Sequence, residues 1–444
     1  MSRRGNTPAR SRGQGPERAR RDGRLPRPGL GSAVERRHVV GCGPARTESD
    51  VDDPILTGIA VASFVAFGTL LVLFGANAAE ISRALSLDYA DLGLLGSMLS
   101  LGLGLGILGA GPLADRLPRR ALFVSSCGVV LGATLLLGPE TSYRELLVLM
   151  VAIGFGAGFY ETVLNALIIE AFGEDAGRRL LFIHSGAPLA ACIVPILVDG
   201  ARVGLGTEWY TTFRIAGLIH VPLVLAAFFV PMDARRVEPG NEGHLDRSQD
   251  SDPVRPAERG SDRLALISIC IATFAYVGVE SAVTIFIADH VLIDLGFGSA
   301  RAAATISAFW GGLLAGRLGA GLSPRSPAAG TVALLSLAGA ALVLASGLGW
   351  IRVPELAIGG AGLVLGGVFP ILIGLAGTAR PSSAGMAVGL AGGMGSLGGF
   401  IVPWCTGRLA RGLGLPVAIA ALSGWLLLLV AAALAARSRR GVVS

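Results

Sequence analysis

The chain has 444 residues, 52% of them hydrophobic and 15% charged, with 65 glycines and a mean hydropathy of +0.64. A water-soluble fold of that composition would expose large apolar patches, and its charge would be spread along every surface helix instead of being confined to gaps between apolar blocks. The net charge of +6 is carried by Arg alone, because the sequence contains no Lys, and residues 1–54 hold 12 Arg against 7 Asp and Glu. The basic excess therefore marks a tail and not a nucleic-acid-binding face. Without Lys no P-loop can form. Cys42, Cys127, Cys192, Cys270 and Cys405 are scattered with no CxxC pair, and neither HExxH nor GxSxG occurs. Nothing here predicts a disulfide framework, a metal site, a cofactor or a catalytic dyad.

Residues 1–54 are rich in Arg, Gly and Pro and have no apolar core, which predicts a disordered cytoplasmic tail. Apolar blocks follow at 55–79, 91–113, 121–138, 145–170, 180–202 and 211–231. A bilayer-spanning helix needs about 20 apolar residues. The stretch 232–262 is too hydrophilic to enter a bilayer and reads as a cytoplasmic linker. Six more blocks occupy 263–289, 299–323, 327–346, 352–377, 382–404 and 413–436, leaving 437–444 as a cytoplasmic C-terminus. The expected fold is an all-α membrane protein of twelve transmembrane helices in two six-helix halves, 55–231 and 263–436. With both termini cytoplasmic, 29 of the 37 Arg fall on the inner side, in keeping with the positive-inside rule. An Arg-only, Ala- and Gly-rich chain points to a GC-rich bacterial genome and hence to the plasma membrane.

Between the second and third blocks the sequence reads Gly111-Pro112-Leu113-Ala114-Asp115-Arg116-Leu117-Pro118-Arg119-Arg120. An apolar helix ends there in an Asp-Arg turn; the Asp can meet the positive N-terminal end of a neighbouring helix and the Arg residues hold the loop in the interface. This segment resembles the signature loop of the major facilitator superfamily, GxLaDRxGRR, with Pro118 in place of a glycine. Gly311-Gly312-Leu313-Leu314-Ala315-Gly316-Arg317 is expected to be its second-half counterpart, without the Asp. The resemblance implies a carrier of the major facilitator fold.

In the fourth block Gly154, Gly158, Glu161 and Asn165 share one helical face, so the block's only deep carboxylate lies beside an amide. A charge near the bilayer centre costs several kcal/mol unless it faces a cavity, has a partner or takes up a proton. Glu161 is thus a candidate proton or substrate site; the competing reading is a protonated packing residue bonded to a neighbouring helix. The seventh block repeats the arrangement with Thr273, Tyr276, Glu280 and Thr284. The strings GAGFYETVLNA and YVGVES resemble the branch that includes fucose permease and related sugar and polyol carriers, which implies a central-cavity role for Glu161. That branch also uses an acid in its first span, where this chain has only Asn77 and the end-lying Glu80.

The only glutamines are Gln14 and Gln249, outside the blocks, so hydrogen-bonding groups for a polyol are scarce. A pocket of Phe159, Tyr160, Tyr276, Trp310 and aliphatic side chains would suit an amphipathic or apolar organic molecule better. His184, His220 and Arg214 are further intramembrane polar groups; His220 is a candidate relay, whereas His184 and Arg214 lie close enough to block ends to reach the interface. Two GxGxxG strings, Gly104–Gly109 and Gly393–Gly398, follow no strand and read as close helix packing. Pro195, Pro370 and Pro403 permit bending.

The expected function is secondary transport of a small organic solute by alternating access, with the proton as coupling ion, by a monomer in a lipid bilayer. Sugar or polyol import competes with export of amphipathic compounds. A transport-incompetent sensor or scaffold that kept the fold is the reading from another class.

Overall fold

The computed structural model describes residues 54–114, 116–172, 176–230, 232, 256–322, 329–380 and 384–440. The tail, residues 233–255 of the linker, Asp115 of the loop motif and residues 441–444 lie outside the described residues. Residues 51–444 fall into one compact unit.

Among the described residues the regular structure is helical. The first six rods are α1 (Pro54–Leu85), α2 (Tyr89–Ala114), α3 (Arg119–Leu136), α4 (Tyr143–Phe172), α5 (Ala176–His184 and Gly186–Leu205) and α6 (Trp209–Leu218 and His220–Ala227). The second six are α7 (Pro256–Asp289, extended by a π-turn His290–Asp294), α8 (Ser299–Gly321), α9 (Ala329–Gly347), α10 (Pro354–Leu365 and Val368–Ala379), α11 (Ala384–Leu413) and α12 (Leu415–Arg440). Helix α7 begins seven residues inside the stretch expected as linker. Eleven of the twelve are long and apolar enough to cross a membrane. The exception, α8, is 23 residues long but carries Arg301 and Arg317 together with glycines, Ser and Thr.

The breaks in α5, α6 and α10 have a common cause. Proline has no N–H to donate to the carbonyl four residues earlier, and Pro188, Pro222 and Pro370 stand four residues after His184, Leu218 and Gly366, where the rods part. Pro195 and Pro403, by contrast, lie inside continuous helices.

The two halves repeat one packing scheme. Helix α1 packs on α5 as α7 does on α11, α2 on α4 as α8 on α10, and α3 on α6 as α9 on α12. Glycines set the second of these pairs. A Cβ on Gly102 or Gly106 of α2 would meet the Val151 or Phe155 carbonyl, and one on Gly154 or Gly158 of α4 would meet that of Leu99 or Leu103. Gly312 and Gly316 of α8 lie as tightly on the Gly359 and Leu363 carbonyls, and Gly362 and Gly366 of α10 on those of Phe309 and Leu313. Where lipid is as apolar as Leu, such close backbone approach supplies the dispersion contact that holds helices together.

Between the halves, α2 meets α11, α5 meets α8 and α1 meets α7. These seams are tight at the end opposite the loop motif. Gly93 lies against Pro403 O and Gly407, Gly75 against Thr284 O, and Asp88 pairs with Arg411 at 3.3 Å. Burial pushes the Asp88 carboxyl up, but hydrogen bonds from the Asp91 N–H and Arg411 outweigh it and hold the group below its ordinary range. Toward the motif loop α2 and α11 separate beyond Gly104 and Ser396: Gly392 and Gly389, which continue the same face of α11, have nothing within 4 Å. A cavity of about 610 Å³, lined by Pro54, Val61, Arg179 and Phe182 among others, opens at that end.

Candidate functional site

Asn165 of α4 and His184 of α5 are joined at 2.9 Å, amide oxygen to imidazole Nε2. The break that Pro188 makes in α5 puts His184 at the end of a rod, with its ring against Phe64 of α1 at 4.2 Å between centroids. Across the seam between the halves α5 meets α8, which carries Arg317. Arg317 in turn pairs with Glu280 of α7, Nη2 to Oε1 at 3.5 Å, the two side chains 21% and 14% exposed. The Tyr276 hydroxyl, one turn before Glu280, adjoins both without a hydrogen bond of good geometry. Asn165–His184 and Arg317–Glu280 thus form a polar line in two segments, one on each side of the α5–α8 seam, and no hydrogen bond or ion pair joins the segments among the described residues.

Glu161, one turn from Asn165, is half-buried and has no hydrogen bond or ion pair to any described residue. An intramembrane carboxylate without a partner is maintained where it faces a cavity or holds a proton. Of the residues expected at the site, the structure therefore brings Asn165, Glu280 and Tyr276 onto one line, with Glu161 a helical turn away.

Tyr160 and His220 are brought together elsewhere. Their rings are 5.7 Å apart, Phe123 packs on Tyr160, and His220 Nδ1 meets the Gly217 carbonyl, all among α3, α4 and α6 inside the first half. Trp310 is buried beside Phe309 on α8, two turns from Arg317 on the same face. Thr273 and Thr284 donate to carbonyls of their own helix.

Two expectations are corrected. Gly316 and Arg317 are not loop residues: α8 continues to Gly321, Gly316 is a packing glycine against α10, and Arg317 turns inward to Glu280. His184, near the start of the candidate span Phe182–Leu205, bonds Asn165 of α4 at 2.9 Å instead of turning outward. Pro188, four residues on, was the available signal for that kink. In the first-half loop, Gly111 ends inside α2, Arg116 is exposed, Arg119 is half-buried and Arg120 donates to the Val230 carbonyl at 2.9 Å. Asn77 and Glu80 belong to a separate network. Asn77 donates to Leu73 O and Thr212 Oγ1, and Arg202 bonds the Asn77 and Ala76 oxygens and pairs with Glu80 at 3.0 Å.

Two helical halves that repeat one packing scheme and meet along three seams define a polytopic membrane architecture. The model of the Major Facilitator Superfamily matches residues 59–403, and the chain belongs to that family. It is 27% identical over 276 residues to the 3-(3-hydroxy-phenyl)propionate transporter of Escherichia coli, covering 62% of this chain and 66% of that protein. To the 4-hydroxybenzoate transporter PcaK of Pseudomonas putida it is 27% identical over 203 residues, 42% of each chain. The chain thus spans less than two thirds of the length of these relatives. Among solved structures, a D-xylose-proton symporter matches with a TM-score of 0.69 at 16% identity, covering 86% of this chain and 96% of that one. A bacterial homologue of the lysosomal transporter Spinster, inward-facing and unoccupied, matches with a TM-score of 0.66 at 16% identity over 88% and 98%. The chain is a multi-pass membrane protein of that family.

Proposed function

We propose that the chain is a proton-coupled secondary transporter that moves a small organic solute by alternating access, with the solute bound between the halves. The observation that carries this reading is that polar pairs from both halves flank the α5–α8 seam, Asn165–His184 on one side and Arg317–Glu280 on the other, where rocking of the halves would change what they face. The tight seams at one end and the separated α2 and α11 at the other fit one access state, open toward the motif loop. With both termini cytoplasmic, that state faces inward.

Glu161 is the proton site in this reading. It lies one turn from Asn165, has no ion pair among the described residues, and would bind a proton in one access state and release it in the other. The relatives named for hydroxylated aromatic acids make such acids the first solutes to test, before sugars and polyols. The scaffold reading has no specific support in the polar line. In proteoliposomes with a trapped pH dye, solute addition should move protons with the wild type. Glu161→Gln should abolish proton-coupled accumulation while leaving solute exchange partly intact. Accumulation with unchanged pH dependence in that variant removes Glu161 from the role.

A further inference from the structure

The polar atoms left unsatisfied on the second-half wall of the site share one property. Arg317 Nε and Trp310 Nε1 are buried without a hydrogen-bond partner among the described residues, and both can donate. A wall of spare donors is complementary to an acceptor-rich ligand, and a guanidinium in it is complementary to a carboxylate.

Arg317 already holds one carboxylate, that of Glu280, and holds it poorly. The ion contact is 3.5 Å long, the Tyr276 hydroxyl adjoins the same guanidinium, and Nε has no partner among the described residues. The same helix shows what a closed pair looks like: Arg301 grips Glu355 of α10 through Nε and Nη2 at 2.7 and 2.8 Å. The difference lies in the acceptor's freedom to approach. Glu355 opposes Arg301 fork to fork, whereas Glu280 offers one oxygen and leaves half of the Arg317 fork open.

Resting on the carrier reading above, we propose that the transported solute is an organic monocarboxylate, and that its carboxylate takes the fork of Arg317 in place of Glu280. The Glu280 side chain is then a stand-in for the substrate in the empty carrier. Once displaced it is a lone carboxylate in an apolar wall, where charge is costly, and it takes the proton that Glu161, the proton site of that reading, has bound from the side on which the solute entered. One anion and one proton then cross together, and no net charge moves. Arg317 and Tyr276 are the titratable groups that act on Glu280, and His184 stands on α5, which meets α8 across the seam; among the described residues α1, α10, α11 and α12 bring no further titratable group to bear on Glu280. The body of the solute would lie along Phe64, Trp310 and the Tyr276 ring, which suits an aromatic or other flat apolar group.

The test is equilibrium binding to the purified full chain in nanodiscs, with benzoate, 4-hydroxybenzoate and 3-phenylpropionate compared with their methyl esters and with xylose. The acids should bind the wild type at least 10-fold more tightly than their esters. Glu280→Gln, which mimics the displaced protonated acid, should bind the acids as well or better, with the pH dependence of binding reduced. Arg317→Gln should weaken acid binding at least 10-fold. The double variant Glu280→Gln/Arg317→Gln, which leaves no lone charge and should elute as a folded monomer, should show the same loss. The proposal is overturned if esters bind as well as acids, if Glu280→Gln loses binding, if the folded double variant keeps it, or if no acid binds the wild type. Counterflow of xylose or an ester by wild type and double variant alike would refute the carboxylate site and leave the carrier reading standing. Absence of counterflow with every solute would remove the carrier reading itself.

Discussion

At the residue scale, three ion pairs of similar composition have different uses because their surroundings differ. Arg301–Glu355 is bidentate and joins neighbouring helices of one half. Arg202–Glu80 is embedded in a mesh in which Arg202 also satisfies the Ala76 and Asn77 oxygens and Glu80 accepts from the Trp209 N–H. Arg317–Glu280 is long and half open. The first two should therefore behave as structural and the third as exchangeable. Arg202→Ala leaves the Glu80 carboxylate and two oxygens without their donor, so it should cost on the order of 1–3 kcal/mol. The change should read out as a lower unfolding temperature in detergent. A variant as stable as wild type would show that water replaces the guanidinium and that the mesh has no structural weight.

At the element scale, glycine spacing and proline position do most of the shaping. The α2–α4 and α8–α10 pairs are both built on glycines whose missing Cβ lets one backbone rest on another. Gly106→Val should force α2 from α4 and cost about 1–3 kcal/mol or more, seen as loss of monodisperse protein. Gly132→Val on α3, where nothing lies within 4 Å, should have little effect on the same profile. Equal behaviour of the two variants would mean that α2–α4 contact does not limit stability. The prolines act differently: each of Pro188, Pro222 and Pro370 ends a rod four residues earlier. At His184 that end coincides with a side chain of the polar line, so a backbone defect and a candidate functional group share one position.

At the scale of the whole molecule, the inter-half seams decide which end is closed. A Cβ on Gly104 would lie 2.9 Å from the Ser396 Cβ, close to the separation that a disulfide bridges after a small adjustment. Gly104→Cys with Ser396→Cys, in a chain whose other cysteines are replaced by Ser, should cross-link under mild oxidation. The cross-linked carrier should lose solute flux and regain it on reduction. Full flux with the bond formed would show that α2 and α11 do not separate further during turnover, against alternating access along this seam.

Apolar block length and the Arg-rich gaps determined the membrane class and the six-plus-six plan, because the bilayer imposes a length and a polarity on every crossing segment. The Gly111–Arg120 loop pointed to the superfamily. Glu161, Asn165, Tyr276 and Glu280 were legible as polar groups with no reason to lie in lipid. Which of them meet was not. Helical periodicity assigns faces within one rod, whereas the partners of Asn165 and Glu280 come from α5 and α8, on other helices. His184 and Arg317 were each near a block end in the sequence, so each suggested an interfacial group. Only the tertiary structure, by breaking α5 at His184 and carrying α8 on past Arg317, paired the first with Asn165 and the second with Glu280 on either side of the seam between the halves.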